Sequence, residues 1–498
     1  MNGWALGPET GLVGFPAVGA VVLAIAAARG RRLVVGLTVA ATLTAFVLTL
    51  ARVLSIGAYE QDIGGWGAPL GIGWRIDGFA VLMLGLSVVV GAVVSIYSLA
   101  YFGEDPGDRR RALFFWPLWL FLWSALHGLF LSRDLFNWYV TLELSGLAAV
   151  ALIALSGRAD ALTGSLRYLL LALAASLLYL LGVVVLYSAT GTLDLAQVAS
   201  RMTPGPVALA AVLLITTGLV VKAALFPAHF WLPSAHASAP SPVSAVLSAL
   251  VVKGGFYILA RTMTGLWPAA SADGVLLVLG WLGGAAVLWG SLLAIRQQRL
   301  KLVIAYSTVA QLGYLFIAFP FWMDGVGEQA ASRAWAGAAY QAVSHGLAKA
   351  ALFLAAGVLI HARGRDDLDA LRGLGAHLPV TATAMALAGI SLMGIPPGAG
   401  FLPKWMLMTA ALQEGRIIPI MVLMAGGLLA VGYLFRIFRR LLVADDVALD
   451  HAPPRTMEIA ALVLGILSVI AGLSSLPILS LLSIGAPEGM NAYLEGVP

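Results

Sequence analysis

The charged residues that could carry chemistry in this sequence lie inside long apolar runs. Glu143 is the one acidic residue well inside such a run, and four of the five lysines share this setting: Lys222, Lys253, Lys349 and Lys404. A lysine at the centre of a bilayer costs about 2.5 to 3.5 kcal/mol on insertion scales. Together the five charges would cost about 12 to 17 kcal/mol, more than the stability of a typical domain, unless they are paired or hydrated. Snorkelling to the membrane surface could explain a single lysine, but for the whole set we predict a connected polar row.

Three histidines lie close to these lysines in the sequence. His345 precedes Lys349 by four residues, so both side chains project from one face of a predicted helix. A neutral imidazole can accept a proton on one nitrogen and release one from the other, and a lysine removed from water gives up its proton more readily. The pair is therefore a predicted proton relay, and the alternative is that His345 is a hydrogen-bonded core histidine. His229 and His236 follow Lys222; they could form a proton access route to the cytoplasm or cap a broken helix.

Other kinds of chemistry find little support in the residues. No two histidines share i, i+4 spacing, and Glu143 is the only deep carboxylate, which disfavours a metal site. The absence of cysteine excludes thiolate-bound iron–sulfur clusters and disulfides within the chain. No P-loop, G-x-S-x-G or dinucleotide motif occurs in the required context. We predict no cofactor and no catalytic chemistry in the chain itself, and leave open whether it is part of a redox enzyme complex.

The composition predicts the class of protein that holds the row. Hydrophobic residues make up 60% of the chain and charged residues 11%, with a mean hydropathy of +0.94. Soluble globular proteins carry about a quarter charged residues, so we predict an all-α polytopic membrane protein. The net charge of +5 comes from short loops without a basic tail or base-stacking aromatics, so nucleic-acid binding is not expected. The first apolar run lacks signal-peptide features and is expected to be a retained span.

Windows of about 20 apolar residues predict about 14 transmembrane helices. The predicted spans are 11–28, 33–51, 78–101, 112–131, 135–156, 165–189, 206–226, 242–263, 274–295, 301–320, 335–360, 379–411, 417–438 and 457–484.

Two of the lysines adjoin predicted breaks in these helices. Pro227 follows Lys222 by five residues and would end its helix, and GIPPGAG at residues 394–400 lies just before Lys404. Paired spans interrupted by glycine and proline indicate inverted repeats with an ion site at the bilayer midplane. We predict broken helices near 222–242 and 394–404 within two inverted five-helix repeats. The corresponding segments are an N-terminal three-helix segment 1–110, a first unit 111–263, a second unit 264–440, and a C-terminal helix and tail 441–498.

The basic residues predict the orientation. Of the 29 Lys and Arg residues, 18 fall on one side of an alternating fourteen-span arrangement, Lys301 among them, and 7 on the other; the remaining four are the lysines within the spans. Because basic residues favour the cytoplasmic side, we predict a multi-pass protein of the inner cell membrane with both termini on the outer side.

Five segments around these residues resemble a known family: the antiporter-like, proton-conducting subunits shared by complex I, membrane-bound hydrogenases and Mrp-type sodium/proton antiporters, including the D-type subunits of the last. The segments are RDLFNWYVTLELSG from Arg133, KAALFPAHFWLPSAHASAPSPVSAVLSALVVKGGFY from Lys222, RLKLVIAYSTVAQLGY from Arg299, HGLAKAALFLAAG from His345 and GIPPGAGFLPKW from Gly394. The resemblance covers roughly residues 75 to 440. It implies a fold of fourteen helices with two inverted five-helix units. In one respect the chain departs from the family, because Arg299 lies where an acidic residue usually precedes the tenth-span lysine.

The resemblance also implies roles for the residues of the row. Glu143 would form a charge pair with Lys222, the residues Lys253, His345 and Lys349 would pass the proton on, and Lys404 would complete the second half-channel. The chain is then predicted to be a proton-translocating subunit of a multisubunit Mrp-type cation/proton antiporter. The alternative is a proton-pumping membrane-arm subunit of a hydrogenase or NADH:quinone oxidoreductase-type complex. Its expected partners are other membrane subunits, membrane lipids and protons, with sodium as a further candidate. A self-sufficient substrate carrier and a purely structural scaffold are the rival interpretations.

Overall fold

The fold is a helical bundle that carries one small β-hairpin. The computed structural model describes residues 7–26, 30–103, 106–262, 266, 272–443, 445 and 449–496. Within them, twelve helices are long and apolar enough to cross a membrane, and two shorter apolar helices accompany them. The predicted fold class, an all-α polytopic membrane protein, is confirmed. The number of fourteen spans stays a prediction, and so do the inverted repeats and the segment boundaries.

We number the helices of the described residues in chain order. They are α1 (Pro8–Ala26), α2 (Arg31–Ile56), α3 (Gly78–Tyr101), α4 (Pro106–Leu131), α5 (Leu135–Ala154), α6 (Ala159–Thr190), α7 (Leu195–Arg201), α8 (Pro206–Lys222), α9 (Trp231–Ser238), α10 (Ser241–Thr262), α11 (Asp273–Arg296), α12 (Leu300–Ile317), α13 (Glu328–Arg363), α14 (Leu374–His377), α15 (Pro379–Met393), α16 (Phe401–Gln413), α17 (Ile417–Leu442), α18 (Arg455–Leu473) and α19 (Ser475–Ser483).

The hairpin, which the sequence did not predict, marks one end of the bundle. Strands β1 (Tyr59–Asp62) and β2 (Gly73–Ile76) pair antiparallel between α2 and α3. Trp74 bridges to Ser132 at the start of the α4–α5 connection. We call this end the hairpin face, and the opposite end, where α11 meets α12, the arginine face.

The helices that carry Lys253, His345 and Lys349 lie at the centre of the bundle. Every residue of the apolar stretch of α10 is buried, as are 94% of those in α13, whereas α2 and α17 have 28% buried and form the periphery. The exposed side chains of α2 and α17 are mainly large and apolar, such as Leu37 and Leu428, as expected for surfaces in contact with lipid. Because α10 and α13 are enclosed by other helices, lysines and histidines on them face protein and not lipid.

The first predicted break occurs directly after Lys222. Helix α8 ends there, and Ala224 takes a positive φ of 51° before the chain turns into α9. The last carbonyls of a helix lack partners within it; here the Trp231 indole donates to the Val221 carbonyl over 3.1 Å. Lys222 therefore sits at the negative end of a helix dipole, which favours a cation.

The second predicted break separates α15 from α16. Gly394 ends α15 with a φ of 79°, and the chain resumes a helix at Phe401. In the loop between them, the Ala399 amide donates to the Ser468 carbonyl of α18 over 2.9 Å. The predicted single span 379–411 is thus two half-helices, with Lys404 in the first turn of the second one.

A third irregularity lies inside α10. Residues Leu247–Val251 form one π-helical turn within the otherwise α-helical segment. A π turn shifts the backbone bonding from i+4 to i+5 and is frequent at functional sites. This turn lies just before Lys253, and neither composition nor spacing predicted it.

The C-terminal residues run over the hairpin face. After α19, the Ile484 carbonyl accepts from the Gly78 amide over 2.8 Å, and the Met490 carbonyl accepts from the Ser332 hydroxyl over 2.7 Å. Residues 484–496, which we call the C-terminal strap, thereby join the start of α3 to the start of α13.

Candidate functional site

One end of the row is an ion pair between α5 and α8. The Lys222 ammonium (Nζ) lies 3.0 Å from the Glu143 carboxylate (Oε1), and the side chains are 6% and 16% exposed. The hydroxyl of Ser176 on α6 donates to the same carboxylate oxygen. Three helices thus meet at Glu143, and a hydrogen bond from an uncharged group stabilises the carboxylate in addition to the lysine.

Lys253 is fully buried on α10 and is held by a backbone oxygen. Its ammonium donates to the Ser248 carbonyl over 2.9 Å, five residues earlier in the π-helical turn. The Ser248 hydroxyl lies 2.9 Å from that of Thr308 on α12. The π turn therefore supplies an acceptor for the lysine, and a hydroxyl pair continues from it toward α12.

The middle of the row is His345 and Lys349 on α13. The Lys349 ammonium donates to the Ile304 carbonyl over 2.8 Å and to the Ser307 hydroxyl. His345 is fully buried, and neither of its ring nitrogens has a hydrogen-bond partner among the described residues. The role of His345 in a proton relay stays a prediction, as does the alternative of a core histidine. Buried polar atoms without a protein partner are uncommon, and a bound water, an ion or a functional role accounts for them.

Lys404 closes the row at the second break. Its ammonium donates to the Leu392 carbonyl over 2.7 Å and lies 4.7 Å from the centre of the Tyr314 ring. The Gln311 amide donates to the same Leu392 carbonyl over 3.0 Å and accepts from Gln341 over 3.0 Å. A carbonyl freed by the broken helix and an aromatic ring thus hold this charge.

The structure brings Lys253, His345, Lys349 and Lys404 into one electrostatic neighbourhood, and the Glu143–Lys222 pair is not part of it. His345 interacts electrostatically with Lys253, Lys349, Lys404 and His236. Within the part of the chain that the structure describes, Lys222 is the one of the four row lysines that forms an ion pair with a carboxylate. The other three are held by carbonyls and hydroxyls, which accept a hydrogen bond without fixing the lysine in its charged form.

The two access histidines fall in different places. His236 is fully buried, stacks on Phe353 at 4.8 Å, and interacts electrostatically with Lys349 and Lys301. It therefore extends the row toward the arginine face. His229 stacks on Phe226, whose ring is 6.0 Å from that of Trp289 on the lipid-exposed side of α11. The structure does not bring His229 into the row.

Lys301 is a functional candidate that the sequence analysis missed, because it was counted only among the basic residues of the inner side. It lies in the first turn of α12 with 4% exposure, and its ammonium donates to the Ala239 carbonyl. A signal existed: the other lysines all fall inside spans, and the chain uses arginine at all 24 other basic positions.

A carboxylate from a different segment accompanies Lys301. Asp366, which follows α13, accepts from the Lys301 amide over 3.0 Å and from the Arg299 guanidinium over 3.1 Å. Burial raises the pKa of Asp366, although contacts with Lys301 and Arg299 oppose that rise. The acidic residue that is absent before Lys301 in the sequence is thus supplied from the far end of α13.

Comparison with known proteins identifies the family. Residues 132–430 match a profile described as "NADH:quinone oxidoreductase/Mrp antiporter, TM". Residues 66–115 match one described as "NADH-Ubiquinone oxidoreductase (complex I), chain 5 N-terminus". The chain belongs to the NADH:quinone oxidoreductase/Mrp antiporter family. All six row residues and both access histidines lie within the first match.

Relatives in the family include subunits of two kinds of complex. NADH-quinone oxidoreductase subunit N of Desulforudis audaxviator is 35% identical, covering 92% of this chain and 96% of its own. The D-type Na(+)/H(+) antiporter subunit of Alkalihalophilus pseudofirmus is 32% identical, covering 82% and 81%.

Two solved structures share the fold. A chain of the membrane-bound sulfane sulfur reductase, an archaeal respiratory membrane complex, matches with a TM-score of 0.88 and 25% identity, covering 98% of this chain and 99% of that one. A chain of the Mrp complex from Dietzia sp. matches with a TM-score of 0.86 and 24% identity, with the same coverage. This chain is accordingly a membrane subunit of the antiporter type.

Proposed function

We propose that this chain moves protons along the buried row as one subunit of a Mrp-type cation/proton antiporter complex. The observation that carries the proposal is the Glu143–Lys222 ion pair at one end of a series of buried lysines and a histidine. An ion pair that opens and closes changes the charge seen by the next lysine. Because that lysine is held only by neutral acceptors, it can lose or gain a proton in response.

The direction of the row supports an access point at the arginine face. Lys349, His236 and Lys301 lead toward the arginine face, where the partly exposed carboxylate of Asp366 offers a route to water. We propose that this face is cytoplasmic, with the protein in the inner cell membrane and both termini outside, because the arginines concentrate there. Other membrane subunits, protons and sodium would be the partners of the assembled complex.

The test is transport by the intact complex carrying Glu143→Gln. The substitution keeps the volume of the side chain and removes its charge, so Lys222 loses its partner and the coupling between pair and row is lost. We expect proton and sodium fluxes in sealed vesicles to fall to background while the complex still assembles. Glu143→Asp should keep part of the activity. Transport at the wild-type rate by assembled Glu143→Gln complexes would disprove the mechanism.

A matched control comes from another buried glutamate. Glu9 on α1 is fully buried and pairs with Arg52 at 3.3 Å, while Tyr59 donates to it over 3.0 Å. It lies outside the row, so Glu9→Gln removes a buried paired charge without touching the proposed path. We expect this variant to transport normally once assembled.

A second candidate function is a proton-pumping subunit of a redox-driven complex, favoured by the 35% identity to an NADH-quinone oxidoreductase subunit N. In that case the row would work in the same way, but electron transfer in partner subunits would drive it. Purification of the intact complex distinguishes the two. Flavin or iron–sulfur absorbance that accompanies the chain supports the redox complex, and sodium-dependent transport without such absorbance supports the antiporter.

A further inference from the structure

A polar cleft opens at the hairpin face, away from the residues of the row. It encloses about 600 Å³ between the starts of α3 and α13, the end of α10 and the C-terminal strap. Five of its lining residues are charged: Arg75, Arg133, Arg261, Glu328 and Glu488. A cleft of this size with several polar partners takes up water.

The floor of the cleft is a buried pair between Arg261 on α10 and Asp77 at the start of α3. Two guanidinium nitrogens bond the two carboxylate oxygens at 2.5 and 2.6 Å, and Asp77 is 1% exposed. The third guanidinium nitrogen donates to the Tyr257 hydroxyl over 3.0 Å, and the Phe79 ring lies 5.1 Å from the guanidinium carbon. Burial alone would raise the pKa of Asp77, but Arg261 outweighs it and holds this pKa below its usual range.

This pair lies directly between the cleft and the row. Arg261, Tyr257 and Lys253 follow one another at intervals of four residues on α10, so they share one helix face. Eight residues of helix correspond to about 12 Å. The pair therefore separates water in the cleft from the fully buried Lys253.

We propose that the cleft is the mouth through which the row exchanges protons with the hairpin face, and that the Arg261–Asp77 pair is the barrier between the cleft and Lys253. The proposal rests on the proposed function. An arginine cannot be deprotonated in a protein, so a fixed cation on the path repels protons and cations, as arginines do in other pores. Passage requires the guanidinium to leave Asp77, and Glu328 and Glu488 are carboxylates of the same cleft toward which it can turn.

The C-terminal strap is connected to the Arg261–Asp77 pair through Arg75. The Arg75 guanidinium bonds Asp77 at 3.0 Å and donates to the Gly485 carbonyl over 3.1 Å. The strap lies outside the residues matched by the two family profiles, whereas Asp77 and Arg261 lie within them. The C-terminal strap, residues 484–496, thus forms a wall of the cleft outside the part of the chain that the family profiles match.

The absence of cysteine from the chain permits a direct test by thiol labelling. Ser248→Cys places a small thiol beside Lys253 below the barrier, and Glu488→Cys places one in the cleft above it. The probe is methanethiosulfonate ethyltrimethylammonium, a membrane-impermeant cation, applied to the intact complex in right-side-out and in inverted vesicles. We expect the thiol at 488 to react quickly from the hairpin face and the thiol at 248 to react slowly.

Two substitutions that change the net charge in opposite directions should each open the barrier. Arg261→Ala removes the cation, and Asp77→Asn keeps the oxygen that caps the Ala80 amide at 3.0 Å but removes the charge that holds Arg261. We expect labelling at 248 from the hairpin face to become about tenfold faster or more in both variants, since breaking a buried pair shifts an equilibrium by at least this factor. Arg201→Ala, on the same face but outside the cleft, should leave the rate unchanged.

Unchanged labelling in both variants, or faster labelling only from the arginine face, would overturn the proposal. Acceleration in Arg261→Ala alone would also overturn it, because the proposed barrier is the Arg261–Asp77 pair and not the arginine charge by itself. Labelling does not require transport, so the two proposals fail separately. Normal transport by Glu143→Gln combined with accelerated labelling would refute the proposed function and leave the barrier supported.

Discussion

The two lysines beside broken helices, Lys222 and Lys404, have different partners. Each lies beside a break, at the end of α8 and in the first turn of α16 respectively. Lys222 contacts the Glu143 carboxylate at 3.0 Å, whereas Lys404 contacts the Leu392 carbonyl at 2.7 Å and the Tyr314 ring. The broken helix is thus common to both regions, but Lys222 lies before its break and has a charged partner, whereas Lys404 lies after its break and has neutral partners.

Because of this difference, one architecture can hold two lysines with different tendencies to keep a proton. A carboxylate stabilises only the charged lysine, so it favours a loaded state until the pair opens. A carbonyl and an aromatic ring offer weaker stabilisation, which a second positive charge nearby can overcome. We expect Lys222 to act with Glu143 as a charge switch and Lys404 as a site that loads and unloads its proton.

The largest expected effect is the difference in stability between complexes that carry Lys222→Met and complexes that carry Lys404→Met. Removal of Lys222 leaves a buried carboxylate without its ion-pair partner, which typically costs about 3 to 5 kcal/mol. Removal of Lys404 leaves a carbonyl that still accepts from Gln311, so stability should change much less. Thermal dissociation of the purified complexes measures this, and both variants should lose transport. Equal losses of stability would show that the two sites are held in the same way.

The second prediction gives Lys404 a carboxylate. Gln311 shares the Leu392 carbonyl with Lys404, so Gln311→Glu places a negative charge beside the ammonium. We expect the lysine to hold its proton more strongly and transport to fall about tenfold, since about 1.4 kcal/mol of added stabilisation gives that factor. Gln413→Glu, at an exposed end of α16, is the control. Unimpaired transport with Glu at 311 would argue against proton release from Lys404.

A smaller effect is expected from Ser176→Ala, at the site of Lys222 and Glu143. The hydroxyl donates to Glu143, and a hydrogen bond to a charged group is worth about 1.5 to 3 kcal/mol. Initial rates of transport should fall several-fold, without the complete loss expected for Glu143→Gln. Ser188→Ala, whose hydroxyl bonds a backbone carbonyl on the exposed side of the same helix, should have no effect.

The smallest expected effect concerns Tyr314, where two substitutions test the ring and the hydroxyl separately. That hydroxyl has no hydrogen-bond partner among the described residues, so Tyr314→Phe should behave as the wild type. Tyr314→Leu removes the contact with the Lys404 ammonium, worth about 0.5 to 2 kcal/mol, and we expect transport to fall by a few-fold at most. A defect in the Phe variant as large as that in the Leu variant would show that the hydroxyl, not the ring, matters.

Local features of the sequence predicted the apolar helices and the charges of the row. Hydropathy over about 20 residues is a local property, and it located the apolar helices and placed Glu143, Lys222, Lys253 and Lys349 inside them. Proline and glycine act locally as well, which is why both broken helices could be predicted. The burial of Lys301 escaped this reasoning because a lysine in the first turn of a helix has the same local sequence whether it faces water or protein.

The contacts of each charge depend on how distant segments pack together. Glu143 and Lys222 are 79 residues apart, and Asp77 and Arg261 are 184 apart. Resemblance to the family suggested the first of these contacts, and nothing in the sequence suggested the second. The π turn that offers its carbonyl to Lys253 and the Asp366 carboxylate beside Lys301 likewise depend on packing between distant helices. A buried charged group forms hydrogen bonds with the polar groups that packing brings within about 3 Å. Packing depends on the whole bundle, so a local stretch of sequence does not specify these partners.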